Sequence, residues 1–172
     1  AISAVGAGTI TLDAEGSTSN IVLNDKIQSV TGAISLTAGD NVTGDLNGDI
    51  YGSGGANTIV ATALNAGENR IFAIDGDANT RAINVFGIDS ITANATNENT
   101  LYGFVTDTDW IVSNVGAGSV ESNGDTVSFT GFYNLTGLAG NDRFVFQNTA
   151  SSLGQIDGVI AGGEGEGEGE GD

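Results

Sequence analysis

Ile21-Val22-Leu23, Asp25-Lys26-Ile27-Gln28-Ser29-Val30 and Ile34-Ser35-Leu36 follow one another closely, with Thr31-Gly32-Ala33 between the last two. Many such runs alternate apolar and polar residues, the period-two sign of a half-buried strand. Between the runs lie Gly, Asn, Asp, Ser and Thr, the residues of turns. The same pattern extends in both directions. Thr9-Ile10-Thr11-Leu12 precedes it; Thr58-Ile59-Val60, Ile71-Phe72-Ala73-Ile74, Ile83-Asn84-Val85, Trp110-Ile111-Val112, Val127-Ser128-Phe129 and Phe144-Val145-Phe146 follow. Helix signals are nearly absent. A spacing of about 8–13 residues between strands suits an all-β sandwich, barrel or solenoid.

The composition narrows the function. Of 172 residues, 39% are hydrophobic but only 6% aromatic, so the core must come from Ile, Val, Leu and Ala. Gly accounts for 28 residues, well above the usual share of about 7%. Cys, Met, His and Pro are missing, which removes disulfides and the usual ligands of zinc, copper and iron. Twenty-two acidic residues face four basic ones, Lys26, Arg70, Arg81 and Arg143, for a net charge of −18. Nucleic-acid binding needs phosphate-neutralising cations and is excluded; an anionic membrane surface would repel the chain. No run of about 18 apolar residues is present, so no helical membrane span is expected. With no initial Met and no signal peptide, the chain is expected to be a mature or excised piece. The excess carboxylate suggests an extracellular setting with calcium as the expected cation. Acidity that simply keeps a repetitive β protein soluble is an equal reading.

Internal repetition favours a parallel β-helix or β-solenoid of short rungs, with a β-sandwich as the alternative. Asp25–Val30 aligns with Trp110–Val115, and Gly52–Val60 aligns with Gly137–Val145, both displaced by the same interval, close to half the chain. The expected organisation is a first β-repeat unit over 1–85, a second over 86–161, and an acidic Gly/Glu low-complexity tail over 162–172. Small β-branched residues stack well in rungs, Asn recurs near strand ends, and the missing Pro suits unbroken ladders. Rungs of about 20 residues, stacked at about 4.8 Å, would give a body about 40 Å long.

The second unit carries a longer pattern: Trp110-Ile111-Val112, Phe129-Thr130-Gly131-Phe132-Tyr133-Asn134-Leu135-Thr136-Gly137, Asn141-Asp142-Arg143-Phe144-Val145-Phe146 and Ile156-Asp157-Gly158. It resembles a repeat of very large bacterial surface proteins of the haemagglutinin and adhesin type. The likeness covers Asp107 to Gly163 well and the first unit faintly. Val159 and Ile160 stand where that family has a glycine turn. The resemblance implies a β-solenoid, an extracellular location and a stalk, matrix or adhesive role, and names no ligand.

Several acidic turns are candidate metal sites. Gly137–Val145, with Asn141 and Asp142, is similar to the RTX calcium nonapeptide G-G-x-G-x-D-x-U-x. Leu138 replaces its second Gly, and Gly52–Val60 carries Ser53 and Asn57 at the corresponding places. Asp45-Leu46-Asn47-Gly48-Asp49 has the D-x-N-x-D spacing of a calcium loop, although Ile50 and Ala56 stand where an EF-type loop wants Gly and an acid. Asp75-Gly76-Asp77, Asp107-Thr108-Asp109 and Asp157 are further acids on turns. For each, a plain polar turn is the competing reading. Carboxylate pairs can hydrolyse glycosides, but with no His and four cations no enzyme is expected. Trp110, Phe129, Phe132, Tyr133, Phe144 and Phe146 could stack on sugars or pack the core. Asn41, Asn94 and Asn134 head N-glycosylation sequons.

The expected function is a structural or adhesive module of an extracellular bacterial surface or matrix protein. Its partners would be further copies, joined end to end into filaments through open β-edges, or neighbouring modules. A glycan-binding adhesin domain is the alternative, and a polysaccharide-degrading β-helix enzyme a remoter one.

Overall fold

The computed structural model describes residues 1–14, 16, 19–39, 42–44, 49–52, 57–61, 71–74, 83–93 and 99–163. The fold is all-β, with no helix among the described residues. The strands begin with β1 (Ile2–Ala4), β2 (Ile10–Ala14), β3 (Ile21–Leu23), β4 (Ile27–Ser29), β5 (Ile34–Ala38) and β6 (Val42–Gly44). They continue with β7 (Ile50–Tyr51), β8 (Thr58–Ala61), β9 (Ile71–Ile74), β10 (Ile83–Phe86), β11 (Ser90–Thr92) and β12 (Thr100–Tyr102). β13 (Asp109–Asn114), β14 (Ala117–Ser122), β15 (Asp125–Thr130), β16 (Asn134–Thr136) and β17 (Arg143–Phe146) follow, then β18 (Asn148–Thr149), β19 (Ser152–Leu153) and β20 (Ile160–Ala161). Each apolar run quoted above overlaps one of these strands.

Two eight-stranded sheets dominate. Sheet A has the order β1-β4-β7-β10-β9-β12-β16-β20 and is parallel throughout. Sheet B has the order β17-β13-β14-β15-β11-β8-β5-β2 and is mixed, because β14 runs against both of its neighbours. Early in the chain the step from one partner to the next is short and nearly constant: Ile2 faces Ile27, Ile10 faces Ile34 and Ser35 faces Thr58. In the later half the step lengthens, and Thr100 faces Asn134 just as Asp109 faces Arg143. The order of sheet A departs from chain order once: β10 sits between β7 and β9. Strands from both sides of position 85 share both sheets.

The core lies between the two sheets and forms columns of ladder partners across each sheet. In sheet B, Leu12, Leu36, Ile59, Ile91 and Phe129 are successive partners; in sheet A, Ile2, Ile27, Ile50, Val85 and Ile74 are. β5 alternates buried and half-buried positions along its whole length, as a period-two sequence dictates. Burying each Ile or Leu contributes about 1.5–3 kcal/mol. Toward the C-terminal end the core changes character. Trp110 is fully buried, stacks on Phe144 at 5.4 Å between centroids, and meets Phe129 edge to face at 5.9 Å. Phe132 closes the cluster against Phe129. The aromatic residues that could have met sugars are thus largely internal packing.

Two turns build the antiparallel insert. β14 and β15 are joined by Asn123 and Gly124, with φ of 51° and 89°. An Asn-Gly pair with both φ positive is the favoured two-residue hairpin turn. Gly116, with φ 60°, links β13 to β14.

Candidate functional site

Of the six connections that lead from a described strand of sheet A into the next strand of sheet B, three share a glycine five residues before a small polar residue: Gly52 and Asn57, Gly103 and Thr108, Gly137 and Asp142. A Cβ on Gly52 would lie 2.5 Å from the Asn57 side chain and 2.5 Å from the Gly87 carbonyl. A Cβ on Gly137 would collide with the Asp142 carboxylate and lie 2.8 Å from the Gly162 carbonyl. At Gly52 and Gly137 the polar side chain therefore folds over the bare backbone of the glycine, close to a backbone carbonyl from elsewhere in the chain; at Gly103 the neighbours are the Trp110 ring and the Thr108 methyl. The glycine and acid positions of the nonapeptide-like runs are the two poles of this corner.

Asn57 fits its corner. Its Oδ1 accepts the Ile34 N–H at 2.9 Å and its Nδ2 donates to the Gly87 carbonyl at 3.0 Å. Its own N–H donates to Asp89 Oδ2 at 2.7 Å. Asp142 fits less well. Both of its carboxylate oxygens are buried, with the Thr108 hydroxyl and N–H beside them as donors but neither in good hydrogen-bond geometry. It has no amide to offer the Gly162 carbonyl. Burial pushes its pKa up from 3.8; Thr108 beside it draws the value partly back, and the nearby Asp107 charge adds to the rise. The Thr108 hydroxyl already donates to the Thr106 carbonyl at 2.8 Å, which limits what it gives the carboxylate.

On the outer side of the same corner is an open cleft of about 450 Å³, lined by Asp107, Thr108, Asp109, Glu121, Ser122, Asn123, Asn141 and Arg143. The β13–β17 ladder places Asp109 opposite Arg143. Arg143 Nε donates to Asp109 Oδ1 at 2.7 Å and Nη2 to Oδ2 at 3.0 Å. This two-pronged contact holds the Asp109 carboxyl below its usual range and raises the Arg143 pKa. Asp107 Oδ1 accepts the Asn141 N–H at 2.8 Å. That approach requires Gly140, whose φ is +100° and whose Cβ would lie 2.6 Å from the Asp107 amide nitrogen. Ser122 Oγ donates to the Asp107 carbonyl at 2.7 Å and ties the hairpin to the cleft wall.

The remaining candidates are scattered. Asn141 and Asp142 are brought beside Asp107 and Asp109, although they lie far apart along the chain. Asp49 accepts the Tyr51 hydroxyl at 3.3 Å, and Asp157 accepts the Gln155 amide. Asp45, Asn47, Asp75 and Asp77 lie outside the described residues, as do Asn41 and Asn94. Among the described residues no group of three or more carboxylates gathers that could hold a metal ion. Asn134 spends its side chain on the stack, accepting the Val159 N–H at 2.8 Å and donating to Thr100 at 3.3 Å. The Asp109–Arg143 pair was not singled out from sequence, and Asn57 was noted only as the residue in the acid position of the first nonapeptide-like run. The signal for the pair was the longer step of the later half, which becomes visible only once β13 and β17 are aligned. No protein-family model, curated protein or solved structure matches this chain.

Proposed function

We propose that this chain is a β-solenoid module of an extracellular surface or matrix protein, with a structural or adhesive rather than catalytic role. The observation that carries the reading is the parallel, in-register succession of partners at short, nearly constant steps early in the chain, with Ile2, Ile27 and Ile50 in one ladder and Leu12, Leu36 and Ile59 in the other. Such succession suits a coil in which each turn hydrogen-bonds to the last and the apolar columns run through the centre. A stack of this kind resists bending, and its acidic surface keeps it apart from other molecules. Catalysis is a poor fit to the cleft. Asp109 is held ionised by Arg143, the wrong direction for a general acid, and Asp142, which is shifted upward, faces Gly137 instead of the cleft. Pulling the chain by its two ends in a force spectrometer tests the coil. Release in several steps, each the length of one turn at up to about 3.5 Å per residue, is expected. One rupture of full length would favour the sandwich.

Calcium enters this reading at one corner. A cation between the Asp142 carboxylate and the Gly162 carbonyl would supply the electropositive partner that the Gly87 carbonyl finds in the Asn57 amide N–H. Thermal melts with and without calcium test it. A rise in Tm that disappears in Asp142→Asn supports the site, because a ligand that binds only the folded state stabilises it. An equal rise in both proteins places the ion elsewhere. A second reading, a glycan-binding adhesin domain, is favoured by the polar cleft. Its Asp109, Arg143, Asn123 and Glu121 are the planar groups that sugar hydroxyls hydrogen-bond. Glycan-array binding lost in Asn123→Ala would support it.

A further inference from the structure

The two ends of the stack present matching edges. In β2 the Ile10 N–H donates to the Ala33 carbonyl at 2.9 Å, and the Ala14 carbonyl accepts from Gly39 at 3.0 Å. The alternate residues Thr11 and Asp13 therefore turn their peptide groups to the free side. In β17 the Arg143 and Gln147 N–H groups donate inward to Thr108 and Val112, both at 2.8 Å, so the peptide groups of Phe144 and Phe146 face the free side. Sheet A ends in the same way. The Ile2 N–H donates to the Lys26 carbonyl at 2.9 Å, while the Val159 and Ala161 carbonyls accept from Leu135 and Gly137, leaving Ser3 and Ile160 with outward peptide groups. The end strands β2 and β17 run in the same direction, as do β1 and β20. Both sheets contain eight strands, because the antiparallel β14 adds one to sheet B.

We propose that a second copy of this chain occupies these edges, stacked head to tail by translation. β17 then pairs with β2 of the next copy and β20 with its β1. Phe144 lies over Ile10, Phe146 over Leu12 and Ile160 over Ile2. In this register Phe144 and Phe146 continue the columns of sheet B, while in sheet A Ile160, the partner of Leu135, meets Ile2, whose own column runs through Val85 and Ile74. Each outward peptide group meets one of opposite kind, as parallel pairing requires. The surfaces agree in chemistry. Ile2 is 46% exposed at one end, beside a groove of about 210 Å³ lined by Leu12, Ile21, Leu23 and Ile27. Phe146 is 42% and Ile160 37% exposed at the other. Because the contact joins two different surfaces, it does not close on itself and grows an open filament. The proposal rests on the stacked-module reading above.

Sedimentation velocity of the 172-residue chain, from about 1 μM to about 1 mM, tests it with two variants. Thr11→Pro removes an N–H at the free edge of β2, and Phe146→Asp places a charge at the free edge of β17. The parent chain is expected to sediment faster with rising concentration and to form filaments, whereas each variant alone stays monomeric. Mixed together, the two variants should form heterodimers and nothing longer, since one usable edge remains on each. Circular dichroism melts check that each variant folds, and Asp13→Pro replaces Thr11→Pro where that variant does not. A parent chain that stays monomeric while keeping a cooperative β melt overturns the joint and leaves the module reading standing. Variants that polymerise alone, or a folded mixture without heterodimers, also overturn it. A parent chain without a β melt removes the module reading itself.

Discussion

Asp142 and Asn57 occupy equivalent corners and differ by one functional group, an amide in place of a carboxylate. Asn57 donates to the Gly87 carbonyl; Asp142 faces the Gly162 carbonyl with acceptors only. The folded-state pKa of Asp142 is raised above 3.8, so the native state binds its proton more tightly than the unfolded chain. The ionised form therefore costs stability. The cost is absent below the unfolded pKa, grows as pH rises toward the folded value, and is constant above it. Asp142→Asn is expected to raise Tm at about pH 7 and to leave it nearly unchanged at about pH 3, in the absence of calcium. Differential scanning calorimetry at both pH values checks this. Gly103 imposes a second single-residue constraint. Its Cβ would lie 2.7 Å from Trp110 Cζ2. Gly103→Ala should destabilise by about 1–3 kcal/mol through overpacking, and the fluorescence of Trp110, the chain's one tryptophan, should shift as the ring moves.

At the scale of the element, the ladders divide into apolar columns and polar corners. Ile59 lies between Leu36 and Ile91 in its column and is fully buried. Ile59→Ala should cost about 2–5 kcal/mol in urea unfolding. At the neighbouring corner, Asn57→Ala leaves the buried Ile34 N–H without its acceptor. A cost of about 1–3 kcal/mol follows, measured the same way. Most of these elements were legible in sequence. β3, β5, β8 and β17 coincide closely with apolar runs bounded by turn residues, and in β5 burial on one face of the sheet writes a period of two into the residues. β14 was not legible. Its Ala-Gly-Ser-Val-Glu-Ser has few apolar residues, and only the Asn123-Gly124 turn marks it. The candidate site was half legible. Glycine and acid were visible at positions 137 and 142, but the direction of the Asp142 side chain depends on Thr108 and Gly162, which belong to neighbouring layers.

At the scale of the whole molecule, a net charge of −18 sits on an all-β fold held by backbone ladders and apolar columns. Self-repulsion weakens the compact state and is screened within about 10 Å at 0.1 M salt. Tm should therefore rise as sodium chloride increases from about 10 mM to about 150 mM, without any calcium; a flat response would mean that the acids are spaced widely enough to ignore one another. The strand order of sheet A has a different consequence, one for synthesis. A chain that emerges N-terminus first can lay β1 to β8 onto one another as each appears. β9 emerges next, yet its neighbours are β10 and β12, both still to come. Growth of the sheet must pause after residue 61 until β10 has been made and has taken its place against β7. Over that interval the nascent protein carries an apolar Ile71-Phe72-Ala73-Ile74 segment with nowhere to dock, and this is the stretch at which a chaperone or a translational pause would matter most.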